Sequence, residues 1–243
     1  MLAAAERPLS RKPQKPYSPD SKRAKAMTIG IGFHCLDGII MGSDRQMTAQ
    51  ERHKFPEKKL FYDLKDERTL ALIGGNELGL AKEVWWKLLD YPISDYESCE
   101  QALTSVLDNM GRLYTDLPLE LLCGLATKTD TYLLGFRGKG IFPILDELGV
   151  ICAGDSSLIR YLVKHIELFW TTANSVVIAT YLLKRAEEFV DGCKGPMDVI
   201  LLKPGPRIQT FDPEIIDDLD RQIAKNHAEV FKNLLSLSPP FST

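Results

Sequence analysis

The sequence predicts an α+β fold, a four-layer sandwich in which two antiparallel sheets stack face to face between layers of helices. Three observations point there. Strand signals come in clusters, four before the first helix and four more after the second. Amphipathic helix signals arrive in pairs after each cluster, the arrangement of sheets covered by helix layers. No linker-like stretch interrupts residues 28–237, so one domain holds the whole pattern, with residues 238–243 as a tail.

The elements follow in order. From Thr28 to Cys35, apolar Ile29, Ile31 and Phe33 alternate with smaller residues, the two-residue period of a strand. Asp37-Gly38 turns the chain into a second strand at Ile39-Ile40-Met41, which makes a hairpin. Lys59–Tyr62 and Thr69–Ile73 form another strand pair around Lys65-Asp66-Glu67. The period then changes. Asn76 is placed to cap a helix running through Asp90, with Leu80, Val84 and Leu88 on one stripe. Ser98-x-x-Gln101 has the form of a capping box for a helix to about Tyr114. Four strands are expected at Leu121–Ala126, Tyr132–Phe136, Ile141–Leu145 and Val150–Ala153. Helices over Ser156–Trp170 and Asn174–Val190 come next, then a strand pair at Met197–Leu202 and Arg207–Thr210. Asp212 caps a final helix with Pro213 in its first turn and Ile215, Leu219, Ile223, Val230 and Leu234 on its buried face.

Composition narrows the function classes. Hydrophobic content of 44% and charged content of 26% are those of an ordinary globular protein. No apolar run nears the roughly 18 residues of a membrane span, so no membrane partner is expected. The five cysteines are scattered without a CxxC pair, and the four histidines are dispersed, which argues for reduced thiols in a cytoplasmic protein and against a metal site. Residues 1–26 hold seven Lys/Arg, two acids and four prolines. Taking their +5 from the chain's −3 leaves the rest at about −8. That basic head lacks interleaved aromatics beyond Tyr17, so no nucleic-acid partner is expected; residues 1–27 are expected to be a disordered prosegment, or translation to start at Met27 with residues 1–26 not translated.

Two other signals are set aside. Gly135–Gly140 has the look of a phosphate loop but lacks Ser/Thr after Lys139 and leads into a strand, so a hairpin turn is expected. Trp85-Trp86 and Phe169-Trp170 fit helix-end packing better than a ligand box.

The Met27-Thr28 junction carries the chemistry. Removing Met27 and what precedes it gives Thr28 a free amine beside its hydroxyl, a nucleophile with its own base. An α-amine has a pKa of about 7.7–8.0, so part of it is unprotonated near neutral pH. Thr28-Ile29-Gly30-Ile31-Gly32, the stretch Asp37–Thr48 containing Asp44-Arg45, the pair Lys58-Lys59 before Leu60-Phe61, and the Gly74-Gly75 that follows the next strand together resemble the proteasome β-subunit family of N-terminal nucleophile hydrolases. The specific part of that likeness lies in the first fifty residues after Thr28; beyond residue 80 it rests on element order.

The resemblance implies threonine-type amide or peptide hydrolysis with peptide or unfolded-protein substrates, a homo-oligomeric ring, and no metal or organic cofactor. It leaves open whether an ATP-dependent unfoldase feeds the ring. It places Thr28 as nucleophile, Lys59 as the cation beside it and Asp44 as the partner of Lys59. Strand alternation puts Lys58 and Lys59 on opposite faces, so only one can point at Thr28. The oxyanion donor is a backbone N–H of Gly74, with Gly75 as the competing choice. Later in the chain the pattern departs from the family's. Asp155 of Gly154-Asp155-Ser156-Ser157 falls where a supporting serine belongs, and Asp191 and Cys193 match an Asp and a Ser only with a one-residue gap. A catalytically silent ring subunit and a small-molecule amidase or acylase therefore stand as alternatives.

Overall fold

Burial of both faces of the first two strands builds the centre of the molecule. The computed structural model describes residues 29–48, 54–65, 67–75, 77–111, 119–137, 140–144, 149–152, 172–189 and 193–236. Strand β1 (Ile29–Cys35) pairs antiparallel with β2 (Gly38–Asp44) in the expected hairpin. Its turn needs glycine: Gly38 has φ of 150°, and a Cβ there would lie 1.9 Å from the Leu202 carbonyl oxygen. A short hairpin follows, β3 (Gln46–Thr48) with β4 (Lys54–Pro56). Sequence alone does not reveal it, because three residues are too few to display an alternating pattern.

β5 (Leu60–Lys65) and β6 (Arg68–Gly75) form the next hairpin. Helices α1 (Leu78–Leu88) and α2 (Tyr96–Gly111) come after it. Then come β7 (Glu120–Ala126), β8 (Thr131–Arg137), β9 (Gly140–Pro143) and β10 (Gly149–Cys152). Helix α3 (Thr172–Phe189), strands β11 (Met197–Lys203) and β12 (Arg207–Phe211) and helix α4 (Pro213–Ser236) complete the described chain. The helix expected over Ser156–Trp170 lies outside the described residues. One sheet has the order β10-β1-β2-β11-β12 and the other β5-β6-β7-β8-β9, all neighbours antiparallel.

Three apolar layers hold four structural layers together, which is the α+β sandwich that the sequence predicts. Between the sheets pack Ile39, Met41, Leu60, Ala71, Ile73, Leu122, Leu133, Ile200 and Leu202. Ile29, Ile31 and Phe33, the other face of the first sheet, meet Val176, Ala179, Leu182 and Leu183 of α3. Leu70 and Leu72 of the second sheet meet Val84, Trp85 and Leu88 of α1 and Leu103 and Val106 of α2. The strands β2, β6, β7, β8 and β11 thus each feed two layers through their two-residue period.

Several expected details are corrected. Helix α1 begins at Leu78 with Glu77 at its N-cap and no side-chain cap bond; Asn76 itself lies outside the described residues. The box that opens α2 is Asp95 with Ser98, three residues earlier than Ser98 with Gln101: Ser98 N–H donates to Asp95 Oδ1 at 2.8 Å and Asp95 N–H to Ser98 Oγ at 3.1 Å. At the start of α4 the buried residue is Ile216, not Ile215, which is 51% exposed, while Leu219 packs against the core as expected. Asp212 does cap that helix, accepting from the Glu214 amide at 3.2 Å. Trp85 is buried and stacks on Phe61, whereas Trp86 faces solvent.

Candidate active site

Where β2 ends, the chain places a carboxylate that gathers donors from three segments. Asp44 is the last residue of β2, and Lys59 immediately precedes β5. Lys59 Nζ donates to Asp44 Oδ1 at 3.0 Å and to Oδ2 at 2.9 Å. The Ile29 amide donates to Oδ1 at 2.9 Å and the Gln46 amide to Oδ2 at 3.1 Å. Lys59 and Asp44 are 0% and 1% exposed, so this ion pair is out of water. Burial is the larger influence on both groups: it raises the pKa of the Asp44 carboxyl and lowers that of the Lys59 ammonium, each against the pull of its partner. A weaker pull holding the Lys59 proton comes from Cys193, which is fully buried.

The candidate residues fall as follows. Asp44 and Lys59 are brought together. Lys58 is exposed, with its Nζ over the Tyr62 ring at 4.3 Å from the centroid. Gly74 borders the pair, because its amide donates to the Lys59 carbonyl at 3.3 Å, the long end of the hydrogen-bond range. Gly74 also has a packing role: a Cβ there would lie 2.1 Å from Ala81 Cβ on α1, so only glycine lets that helix approach β6. Thr28, Asp155, Ser156 and Asp191 lie outside the described residues. Cys193 is part of the core beneath α3, with Ile29 and Met197 in the same cluster.

Sequence reasoning missed one neighbour of this site. Arg45, directly after Asp44, forks onto Asp198 of β11: its Nε donates to Oδ2 at 2.8 Å and a terminal nitrogen to Oδ1. Asp-Arg in the 44–45 stretch is visible in the sequence, but a partner 153 residues away is not. Among the described residues no cluster of His, Cys, Asp or Glu is placed to hold a metal ion. No helix among them is long and apolar enough to cross a membrane.

What this arrangement can do is fix charge beside the start of β1. The Ile29 nitrogen and the Lys59 ammonium share one carboxylate oxygen, so the first described residue of β1 lies beside a buried cation.

No model of a known protein family matches the chain, and no curated protein matches it. Solved structures do. An Anbu (Gly-1) mutant from Hyphomicrobium sp. superposes with a TM-score of 0.74 at 11% identity, over 89% of this chain and 100% of that one. Anbu, described as an ancestral β-subunit, from Yersinia bercovieri gives 0.73 at 13% identity over 88% and 99%. A structure described as the helical assembly of the Anbu complex from Pseudomonas aeruginosa gives 0.67 at 16% identity over 88% and 98%. These matches correct the expectation that the chain is a member of the proteasome β-subunit family: the structures it is similar to are Anbu proteins, proteasome-like but a distinct group. At such identities the likeness is one of fold, and it spans nearly the whole of both chains.

Proposed function

We propose that the chain is a threonine-type amide hydrolase acting on peptides, with Thr28 as its N-terminal nucleophile once residues 1–27 are removed. The observation that carries this reading is the shared oxygen of Asp44. It ties the Ile29 amide, the first backbone group beyond Thr28, to the buried Lys59 ammonium. Four covalent bonds separate the Thr28 hydroxyl from the Ile29 nitrogen, which confines it to within about 5 Å of that nitrogen.

Each group then has one task. The Thr28 hydroxyl attacks the amide carbonyl while its own α-amine takes the proton, and the amine returns that proton to the leaving nitrogen. The Lys59 charge disfavours the ammonium form of the α-amine and favours the ionised hydroxyl. Asp44 holds Lys59 in place from both oxygens. The Gly74 amide would serve the developing oxyanion by exchanging its 3.3 Å bond to the Lys59 carbonyl for the stronger charge. Water, deprotonated by the same amine, hydrolyses the ester on Thr28 and restores the hydroxyl. Asp191 is kept as a supporting carboxylate on sequence grounds. Self-association is part of the proposal; the description of the Pseudomonas aeruginosa structure as a helical assembly supports it.

Intact-mass and N-terminal sequencing of protein made from the natural gene, together with hydrolysis of fluorogenic peptides and small acyl amides, test the reading. A mature chain starting at Thr28 that cleaves peptides, with turnover abolished in Thr28→Ala, is the expected result. A chain that keeps residues upstream of Thr28 and hydrolyses nothing would instead identify a silent assembly subunit.

A further inference from the structure

Arg45 occupies the break between β2 and β3 and belongs to neither strand. Its backbone is held on both sides: the amide donates to the Pro196 carbonyl at 3.0 Å, and the carbonyl accepts from the Glu57 amide at 2.7 Å. Its guanidinium adds the two-pronged bond to Asp198. In the register of β2 and β11, Asp198 stands opposite Ser43, so Arg45 reaches it as a diagonal neighbour on the same face. Glu57 is in turn tied to α1 through Lys82. Three segments therefore meet at this one residue. The first carries Asp44, the second leads into Lys59, and the third runs on from Cys193.

We infer that the Arg45–Asp198 fork is a positioning device for the Asp44–Lys59 pair, fixing the turn that presents Asp44 to Lys59 and to the Ile29 amide. The role rests on the hydrolase reading above, and its physical basis is geometric. The Asp44 carboxylate takes four contacts, between 2.9 and 3.1 Å, on two oxygens. Contacts of that length fail once the carboxylate moves by about 1 Å, and a displacement of that size around a reacting centre slows catalysis by about a hundredfold. A planar guanidinium on a carboxylate resists both sliding and rotation, which a single ammonium donor does not. Arg45 and Asp198 are 34% and 13% exposed, so solvent screens their attraction and the value of the contact lies in its shape. The exposure also defines the rival: a guanidinium at the site could instead bind an acidic group of the substrate.

Kinetics of Arg45→Ala, Asp198→Ala, Arg45→Lys and the double alanine variant separate the two. Arg221→Ala, which removes an exposed helical ion pair with Asp218, is the control and keeps wild-type turnover. The expected result is a fall in kcat of about tenfold or more with KM within about twofold, and a double variant no worse than either single one. Arg45→Lys recovers only part of the loss. The alkaline limb of the kcat profile moves to lower pH in the variants, because a loosened Asp44 holds the Lys59 proton less firmly. A raised KM with unchanged kcat, or strictly additive losses, overturns the positioning role.

Amide hydrogen exchange supplies a readout that does not need turnover. In Arg45→Ala, exchange at Ile29 and Gln46 should quicken while Ile40 and Leu72 in the core keep their protection; unchanged protection at Ile29 and Gln46 overturns the inference. A wild-type protein that hydrolyses nothing, but whose variants show the exchange change, sinks the hydrolase reading and leaves the positioning role standing. An active wild type whose variants keep their kcat sinks the positioning role alone. If Arg45→Ala does not fold, Arg45→Lys carries both comparisons.

Discussion

Asp44→Asn is the sharpest perturbation of the site, because it removes a charge and almost no volume. Lys59 is then a buried cation whose two carboxylate contacts, at 2.9 and 3.0 Å, are gone. Breaking one side of a buried pair costs about 3–5 kcal/mol. An independent route gives a similar figure: if Lys59 sheds its proton instead, moving from the ordinary lysine pKa of about 10.4 to neutrality at pH 7 costs about 5 kcal/mol. A loss of about 4 kcal/mol follows, or roughly 8–16 °C in Tm for a domain of this size. Adding Lys59→Met should recover much of it, leaving about 1–2 kcal/mol, since two charges removed together leave none stranded. The pH dependence has a definite sign. In Asp44→Asn the folded-state pKa of Lys59 is depressed below its unfolded value, so the unfolded chain binds more protons. Stability therefore rises with pH between those two values, by about 1.4 kcal/mol per pH unit. Urea denaturation across pH 6–10 measures all three quantities. A double variant as unstable as Asp44→Asn, or a flat pH profile, would refute the claim that the pair is buried and mutually dependent.

Two further substitutions examine the same neighbourhood. Lys59→Ala should lower kcat by about a hundredfold or more, as expected for removing a charge that acts on the reacting group, whereas Lys58→Ala, which gives up only a contact with the Tyr62 ring, should change it little; steady-state hydrolysis of a fluorogenic peptide decides, and the opposite ranking would show that the catalytic cation is misassigned. Gly74→Ala places a methyl 2.1 Å from Ala81 Cβ and should destabilise the fold by about 1–3 kcal/mol through displacement of α1. Ala81→Gly in the same chain should relieve that clash at the helix-propensity cost of about 1 kcal/mol, so a double variant less stable than Gly74→Ala alone counts against the packing argument.

How much of this protein is legible in its sequence depends on whether the cause is local. The strands β1 and β2 are legible because Ile29, Ile31, Phe33 and the run Ile39–Met41 set a period within a few residues, and the Asp37-Gly38 turn sits between them. Patterns that need a phase are less secure. The α4 stripe is visible, yet Ile215 and Ile216 are adjacent and either could lead it; contact with the core selects Ile216. The Asp95–Ser98 box is missed from sequence because Ser98-x-x-Gln101 has the Glu/Gln that the rule asks for and Asp95-x-x-Ser98 does not, yet the reciprocal hydrogen bonds form at the latter.

By itself the sequence determined the sandwich architecture, through periods of two and 3.6 residues, and a short list of chemistry-bearing residues near the start of β1. Only the tertiary structure decided which of them meet. Lys58 and Lys59 are chemically identical neighbours, and the fold buries one against Asp44 while leaving the other over an exposed ring. Arg45 acquires its partner only when β11 closes against β2. The physical reason is common to both cases: period and propensity act over a few residues, whereas desolvation and charge pairing depend on segments that the chain brings together only after it has folded.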